Sequence, residues 1–282
     1  MILATGILAS GVLAAAAGNT GLLTVAYLGA GVLFILSLGG LSSQESAKRG
    51  NIYGMIGMVV ALAATMLNPQ ITAYELTANS ALVGAIGVGC VIGGIMAKRV
   101  EMTGMPELVA LLHSFVGLAA VLVGFSSHLS NEVTNTIHSV EVVIAVAIGA
   151  ITFTGSIVAW LKLRGKFFKW WVSGTPLRLP GRHVLNLVVV ASIVVMGVIF
   201  AGMPADHQAL SLGLSSFQWL QIVAVVSGLL GVHLVLAIGG ADMPVVVSLL
   251  NSYSGWTASA AGFMLGNNLL IVTGALVGSS GA

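Results

Sequence analysis

Charge is scarce in this chain. Asp, Glu, Lys and Arg make up 6% of its 282 residues, against about 25% in an ordinary soluble domain. So few charges cannot cover the surface of a soluble fold of this length, which excludes that class. Cysteine is scarcer still. The single Cys90 rules out a disulfide framework and a Cys-rich metal site, and its place in an apolar run reads as a small buried hydrophobe. A Walker A loop and a C-x-x-C pair are both missing. The nearest approach to a dinucleotide fingerprint is Gly87-Val88-Gly89, with Ile92 where the third glycine belongs. It lies inside an apolar segment rather than after a strand, so it is rejected as a nucleotide site.

What is present is apolar length. Hydrophobic residues are 57% and the mean hydropathy is +1.07. A spanning helix needs about 20 mostly apolar residues. Within lipid every backbone polar group must pair inside the protein, which leaves only helices or closed barrels. The runs here are long and continuous rather than alternating, which selects helices. Spans are predicted at 2–17, 21–41, 52–67, 78–97, 106–127, 137–161, 184–202, 217–239, 244–264 and 268–282. The expected fold is all-α, a polytopic transmembrane bundle of nine or ten helices in a lipid bilayer. Among the 37 glycines, Gly89 and Gly93 are four apart, as are Gly274 and Gly278, a spacing that suits close helix packing.

The charges support this division. All ten basic residues fall in three gaps. Lys48 and Arg49 lie in the first and Lys98 and Arg99 in the second. Lys162, Arg164, Lys166, Lys169, Arg178 and Arg182 lie in the third. These gaps alternate with 68–77, 128–136 and 203–216, which hold no Lys or Arg. The positive-inside rule puts the basic gaps in the cytoplasm. The long connection 162–183 also carries Phe167, Phe168, Trp170 and Trp171, which read either as an interfacial anchor or as a docking surface for a soluble partner. Residues 1–19 form an extra hydrophobic segment. It is a transmembrane helix or a signal peptide, although a basic n-region is lacking. The last segment is short for a crossing, so the chain is expected to be cut within its final helix.

Polar side chains at membrane depth are functional candidates. His113 lies about 10 Å from the cytoplasmic end of the fifth span. Imidazole titrates near neutrality, so it either carries a proton or only donates a hydrogen bond to a helix neighbour. In the ninth span Ser248, Asn251, Ser252, Gly255, Ser259 and Gly262 share a helical face. That stripe reads as proton-path lining or as a packing seam. Thr152 and Ser156 share a face of the sixth span, where hydroxyls either line the path or bond their own backbone instead, and His233 lies near the inner end of the eighth. His113, Asn251, Ser156 and His233 thus reach one depth, as a hydrated cavity requires. Glu107, Glu141 and Asp242 lie near span ends. Each reads as a solvated charge, Glu141 alternatively as an outer proton entry and Asp242 as a contact for a cytoplasmic domain.

Longer strings then become informative. Met105 to Leu122, Gly239 to Ser248 continuing through Leu250 to Trp256, Thr152 to Ser156 and Ile271 to Ala282 resemble the beta subunit of proton-translocating NAD(P) transhydrogenase. The resemblance covers roughly residues 20 to 282 and makes this stretch a transmembrane proton-channel domain. It implies that His113, Ser156 and Asn251 line a proton path. Glu141, His233 and Asp242 match further polar positions of the family, with Ser252 and Glu107 as secondary candidates. It also implies NAD and NADP held on soluble domains rather than by this chain, one or more alpha subunits, and an NADP-binding domain missing here. A homodimeric complex in a bacterial inner membrane is implied as well, without a metal or a nucleic-acid partner. Two rivals stand beside it, a proton-coupled transporter of a small solute and a purely structural membrane subunit.

Overall fold

The computed structural model describes residues 20–67, 76–130, 135–164, 176–177, 179–203 and 210–281. The predicted first span and the aromatic residues Phe167, Phe168, Trp170 and Trp171 lie outside the described residues. Nine α-helices occur among them: α1 (Thr20–Leu41), α2 (Ala47–Met66), α3 (Leu76–Arg99), α4 (Met105–Leu129), α5 (Thr136–Arg164), α6 (Arg182–Ala201), α7 (Ser216–Leu236), α8 (Met243–Met264) and α9 (Asn268–Ser280). Six of these segments are long and apolar enough to cross a membrane: α1, α3, α4 with its preceding turn, α5, α6 and α7. The architecture is all-α but for one addition. Leu210–Ser211 (β1) and Leu214–Ser215 (β2) pair antiparallel. Their two-residue loop, Leu212 and Gly213, has positive φ at both positions, as a type I′ turn requires.

The basic gap residues that lie among the described residues are helical. Lys98 and Arg99 close α3, and Lys162 and Arg164 close α5. Lys48 and Arg49 lie in the first turn of α2. Hydropathy ends a span where charge begins, but a helix continues until its backbone pairing runs out, so both ends extend past the apolar window.

Two compact units divide after Val100. In the first, α1 and α2 form a tight hairpin. The Ser46 hydroxyl donates to the Gly40 carbonyl at 2.6 Å, and Tyr27 Oη meets Thr65 Oγ1 at 3.0 Å. On α3 no residue of the Ser80–Arg99 window is buried, so Cys90 is exposed rather than buried. Gly89 and Gly93 have no atom within 4 Å of a Cβ built on them.

In the second unit α5 is central, packed by α4, α6, α7 and α8. Its 29 residues run about 44 Å, longer than the roughly 30 Å hydrocarbon layer. Val142, Val146, Leu220 and Val223 are almost wholly buried between α5 and α7. The helices that carry the site residues start alike. A 3-10 turn precedes Met105-Pro106 in α4 and Met243-Pro244 in α8. Proline costs nothing in a first turn because its missing N–H has no intrahelical acceptor there. His113 and Asn251 each lie eight residues after that methionine, at the same register in their helices. Gly274 and Gly278, by contrast with the α3 pair, do pack: α9 lies against α8 through Gly255, Gly274 and Gly278.

Candidate proton site

The site is built where α4, α5 and α8 meet. His113 Nδ1 lies 2.9 Å from Ser254 Oγ, across from α4 to α8. The other ring nitrogen, Nε2, is buried and has no hydrogen-bond partner among the described residues. This asymmetry determines what the ring can do. If Nδ1–H donates to Ser254 Oγ, Nε2 presents a lone pair and takes a proton while the Ser254 bond stays in place. If the serine donates instead, Nε2–H is a buried donor, which is unfavourable without an acceptor. A hydroxyl accepts or donates by rotating, so Ser254 supports either form.

A second polar contact lies one turn further along α8. Thr152 Oγ1 of α5 and Thr257 Oγ1 of α8 are 3.2 Å apart, both fully buried. Each also reaches its own backbone: Thr152 to the Ile148 carbonyl at 2.8 Å and Thr257 to the Tyr253 carbonyl at 2.7 Å. Two hydroxyl hydrogens therefore serve three contacts. One backbone bond must open whenever the threonines bond each other. Ser156, one turn from Thr152 on the same face, is fully buried, and its Oγ has no partner among the described residues.

The structure brings only part of the expected set together. Neither Ser156 nor Asn251 bonds His113. Asn251 is half-buried, with no side-chain hydrogen bond to the described residues. Ser252 is committed elsewhere, since its hydroxyl donates to the Gly278 carbonyl of α9. Ser248 similarly donates to Gly281 O at 3.1 Å. The stripe of Ser248, Ser252, Gly255, Ser259 and Gly262 is thus the seam against α9. His233, three residues before the end of α7, is half-buried with its Nε2 buried and unpartnered among the described residues. Glu107 lies in the first turn of α4, where the helix dipole favours an anion. Asp242 is exposed at the end of the turn Gly240–Asp242.

At the opposite end of α5, Glu141 lies 3.7 Å from His138 Nδ1, while His138 Nε2 meets Ser127 Oγ of α4 at 3.0 Å. The neighbouring His128 is buried and reaches Ser216 Oγ of α7 at 3.1 Å, with its ring stacked on Phe217. About 32 Å of helix separates Glu141 from Lys162, close to the thickness of the hydrocarbon layer. Among the described residues there is no group of three or more His, Cys, Asp or Glu that could hold a metal.

Ser254, Thr257, His138 and Lys162 were not picked out by sequence reasoning. Ser254 had a signal, since it lies three residues after Asn251 and shares its face. The neighbouring stripe at i, i+4 and i+7 is richer in small polar residues and is the stronger pattern in the sequence.

A family model described as NAD(P) transhydrogenase beta subunit matches residues 23–282. Two curated proteins named NAD(P) transhydrogenase subunit beta, both from Rhodospirillum rubrum and one of them assigned to a particular strain, are each 46% identical over 265 residues, covering 91% of this chain and 53% of theirs. The chain therefore spans about half the length of the curated relatives it matches. With six apolar helices long enough to cross a bilayer, it is an integral membrane protein. It belongs to the NAD(P) transhydrogenase beta subunit family.

Proposed function

We propose that this chain is the membrane part of a proton-translocating NAD(P) transhydrogenase. It moves a proton across the bilayer while hydride passes between NADH and NADP on soluble domains. The observation that carries the reading is a spanning-helix imidazole with one nitrogen on Ser254 and the other buried and unpartnered among the described residues. Such a ring exchanges a proton at Nε2 with little rearrangement. Coupling demands that its access or affinity differ between two states of the assembly. The paired threonines and the orphaned Ser156 hydroxyl supply groups that rebond as the helices shift. Asn251 and His233 are assigned to the same half of the path or to its coupling, and Ser252, through its bond to α9, to coupling.

Further features of the reading are a bundle of nine or ten spans, basic loops on the cytoplasmic side and a bacterial inner membrane. The partners are an alpha subunit or subunits and an NADP-binding domain, in a dimer of the assembled complex. NAD and NADP are held by those soluble domains, and Glu107 and Asp242 face them. Glu141 with His138 admits protons from the far side.

The direct test is a vesicle assay. Sealed vesicles carrying the complete assembly are expected to build a proton gradient when NADPH and an NAD analogue are added, and to show no solute uptake without nicotinamide. Hydride transfer with no accompanying gradient would dismiss the reading. Two variants refine it. Ser254→Ala is expected to slow coupled proton translocation about tenfold, the loss of one net hydrogen bond of roughly 1 to 1.5 kcal/mol. A wild-type rate would remove Ser254 from the site. Glu141→Gln is expected to change stability by less than about 1 kcal/mol, since its partner histidine is partly solvated, yet to slow proton translocation several-fold. An unchanged initial rate would take Glu141 off the path.

A further inference from the structure

Lys162 is in the last turn of α5. A lysine at that position of a spanning helix ordinarily extends its ammonium into water. Here the residue is only 6% exposed, and its Nζ points inward. It donates to the carbonyls of Val235 at 3.2 Å, Leu236 at 2.9 Å and Ile238 at 2.6 Å. An ammonium has three hydrogens, and each meets one acceptor. The Val235 and Leu236 carbonyls end α7 and that of Ile238 lies two residues past it, where intrahelical donors run out and the helix dipole is negative. The same turn is held from a second side, because Leu177 N–H donates to Leu236 O at 2.9 Å.

The clamp sits just ahead of the helix that carries Ser254. Beyond Ile238 come Gly239 and the 3-10 turn Gly240–Asp242, and α8 begins at Met243. Met243 is 1% exposed and packs in one apolar cluster with Val158 and Ala159 of α5. The start of α8 is therefore referred to α5 twice, through Met243 and through the ammonium. Ser254 lies eleven residues along that helix, bonded to His113.

We propose that Lys162 is a positioning residue for proton transfer. Its ammonium pins the end of α7 and the turn bearing Asp242, and thereby sets the axial position of α8 and the Ser254–His113 bond. The inference rests on the proton-translocation reading above and assigns that site its cytoplasmic anchor. A push on the exposed turn from a soluble domain is transmitted to α8 only while the turn is held.

The test measures protons moved per hydride transferred in vesicles carrying the complete assembly. Unfolded or unassembled molecules add to neither quantity, so loss of protein alone leaves the ratio unchanged. Lys162→Met keeps the stem and removes the cation. It is expected to lower the ratio about fivefold, within the range for residues that couple two sites without touching either ligand. If it fails to assemble, Lys162→Gln keeps a neutral donor near the same carbonyls and removes the charge, and a lowered ratio is expected there. His113→Ala is run in parallel. A lowered ratio in His113→Ala with a wild-type ratio in whichever Lys162 variant assembles overturns the role of Lys162 alone. A wild-type ratio in His113→Ala overturns the reading on which it rests.

Discussion

Replacing His113 with Ala is expected to lower coupled proton translocation by about a hundredfold or more, the scale on which a positioned acid–base group contributes. The hydroxyl and amide groups beside the ring do not replace it. Serine, threonine and asparagine do not titrate near neutral pH, whereas imidazole does. The methyl side chain also takes from Ser254 its hydrogen-bond partner on α4, so two polar functions disappear with one substitution. The measurement is the initial rate of proton movement per assembled complex, with hydride transfer followed in the same vesicles. A residual rate above about a tenth of wild type would mean that protons pass by another route.

The second large effect lies in packing. Gly255→Leu is expected to break the contact between α8 and α9. A Cβ at Gly255 would collide with the Gly278 backbone N, lie 2.6 Å from Gly278 Cα and stand 2.7 Å from the Gly274 carbonyl. These neighbours are backbone atoms, which cannot rotate away. Overpacking of a dense interior typically costs about 1 to 3 kcal/mol, and forcing two helices apart exceeds that range. The seam also loses the Ser252 and Ser248 bonds to α9, because both depend on the same close approach. The expected result is a chain that fails to accumulate in the membrane or melts far below wild type in detergent. Gly89→Leu on α3 is the control. No atom lies within 4 Å of a Cβ there, and a comparable loss in that variant would show that the effect is not one of helix contact.

Much of this architecture was legible in the residues, and the reason is physical. Lipid imposes a length and a composition on every span, and the alternation of basic gaps fixes where spans must be counted. The predicted segments from 21–41 to 268–282 accordingly coincide with α1 to α9 to within a few residues at most ends. His113 was legible for the same reason, since an ionisable side chain within an apolar run stands out. Its partner was not. Periodicity says which residues share a face but not which neighbour that face meets. On α8 two polar faces lie side by side, one turned to α9 and the other to α4 and α5. The richer stripe belongs to the packing seam, and the sparser set of Asn251, Ser254 and Thr257 contains the residues that reach across to His113 and Thr152.

Lys162 marks a different limit. Its one-letter context is that of a basic interfacial loop, and nothing in that context reveals that three carbonyls at and just past the end of α7, more than seventy positions away, converge on it. Contacts between an ion and unpaired backbone depend on how helices end in space. Cys90 illustrates the reverse error. Its apolar neighbourhood suggests burial, but in a membrane protein an apolar neighbourhood equally describes a face turned to lipid.

The central claim concerns one ring nitrogen, and nitrogen-15 NMR of labelled histidine in the membrane-embedded assembly observes it directly. The His113 signals, assigned by their loss in the alanine variant, are followed with and without bound nicotinamide nucleotides. Nδ1 is expected to stay protonated on Ser254 in both states, while Nε2 gains its proton in one and loses it in the other. A His113 ring whose two nitrogens keep the same protonation in every nucleotide state would contradict the account.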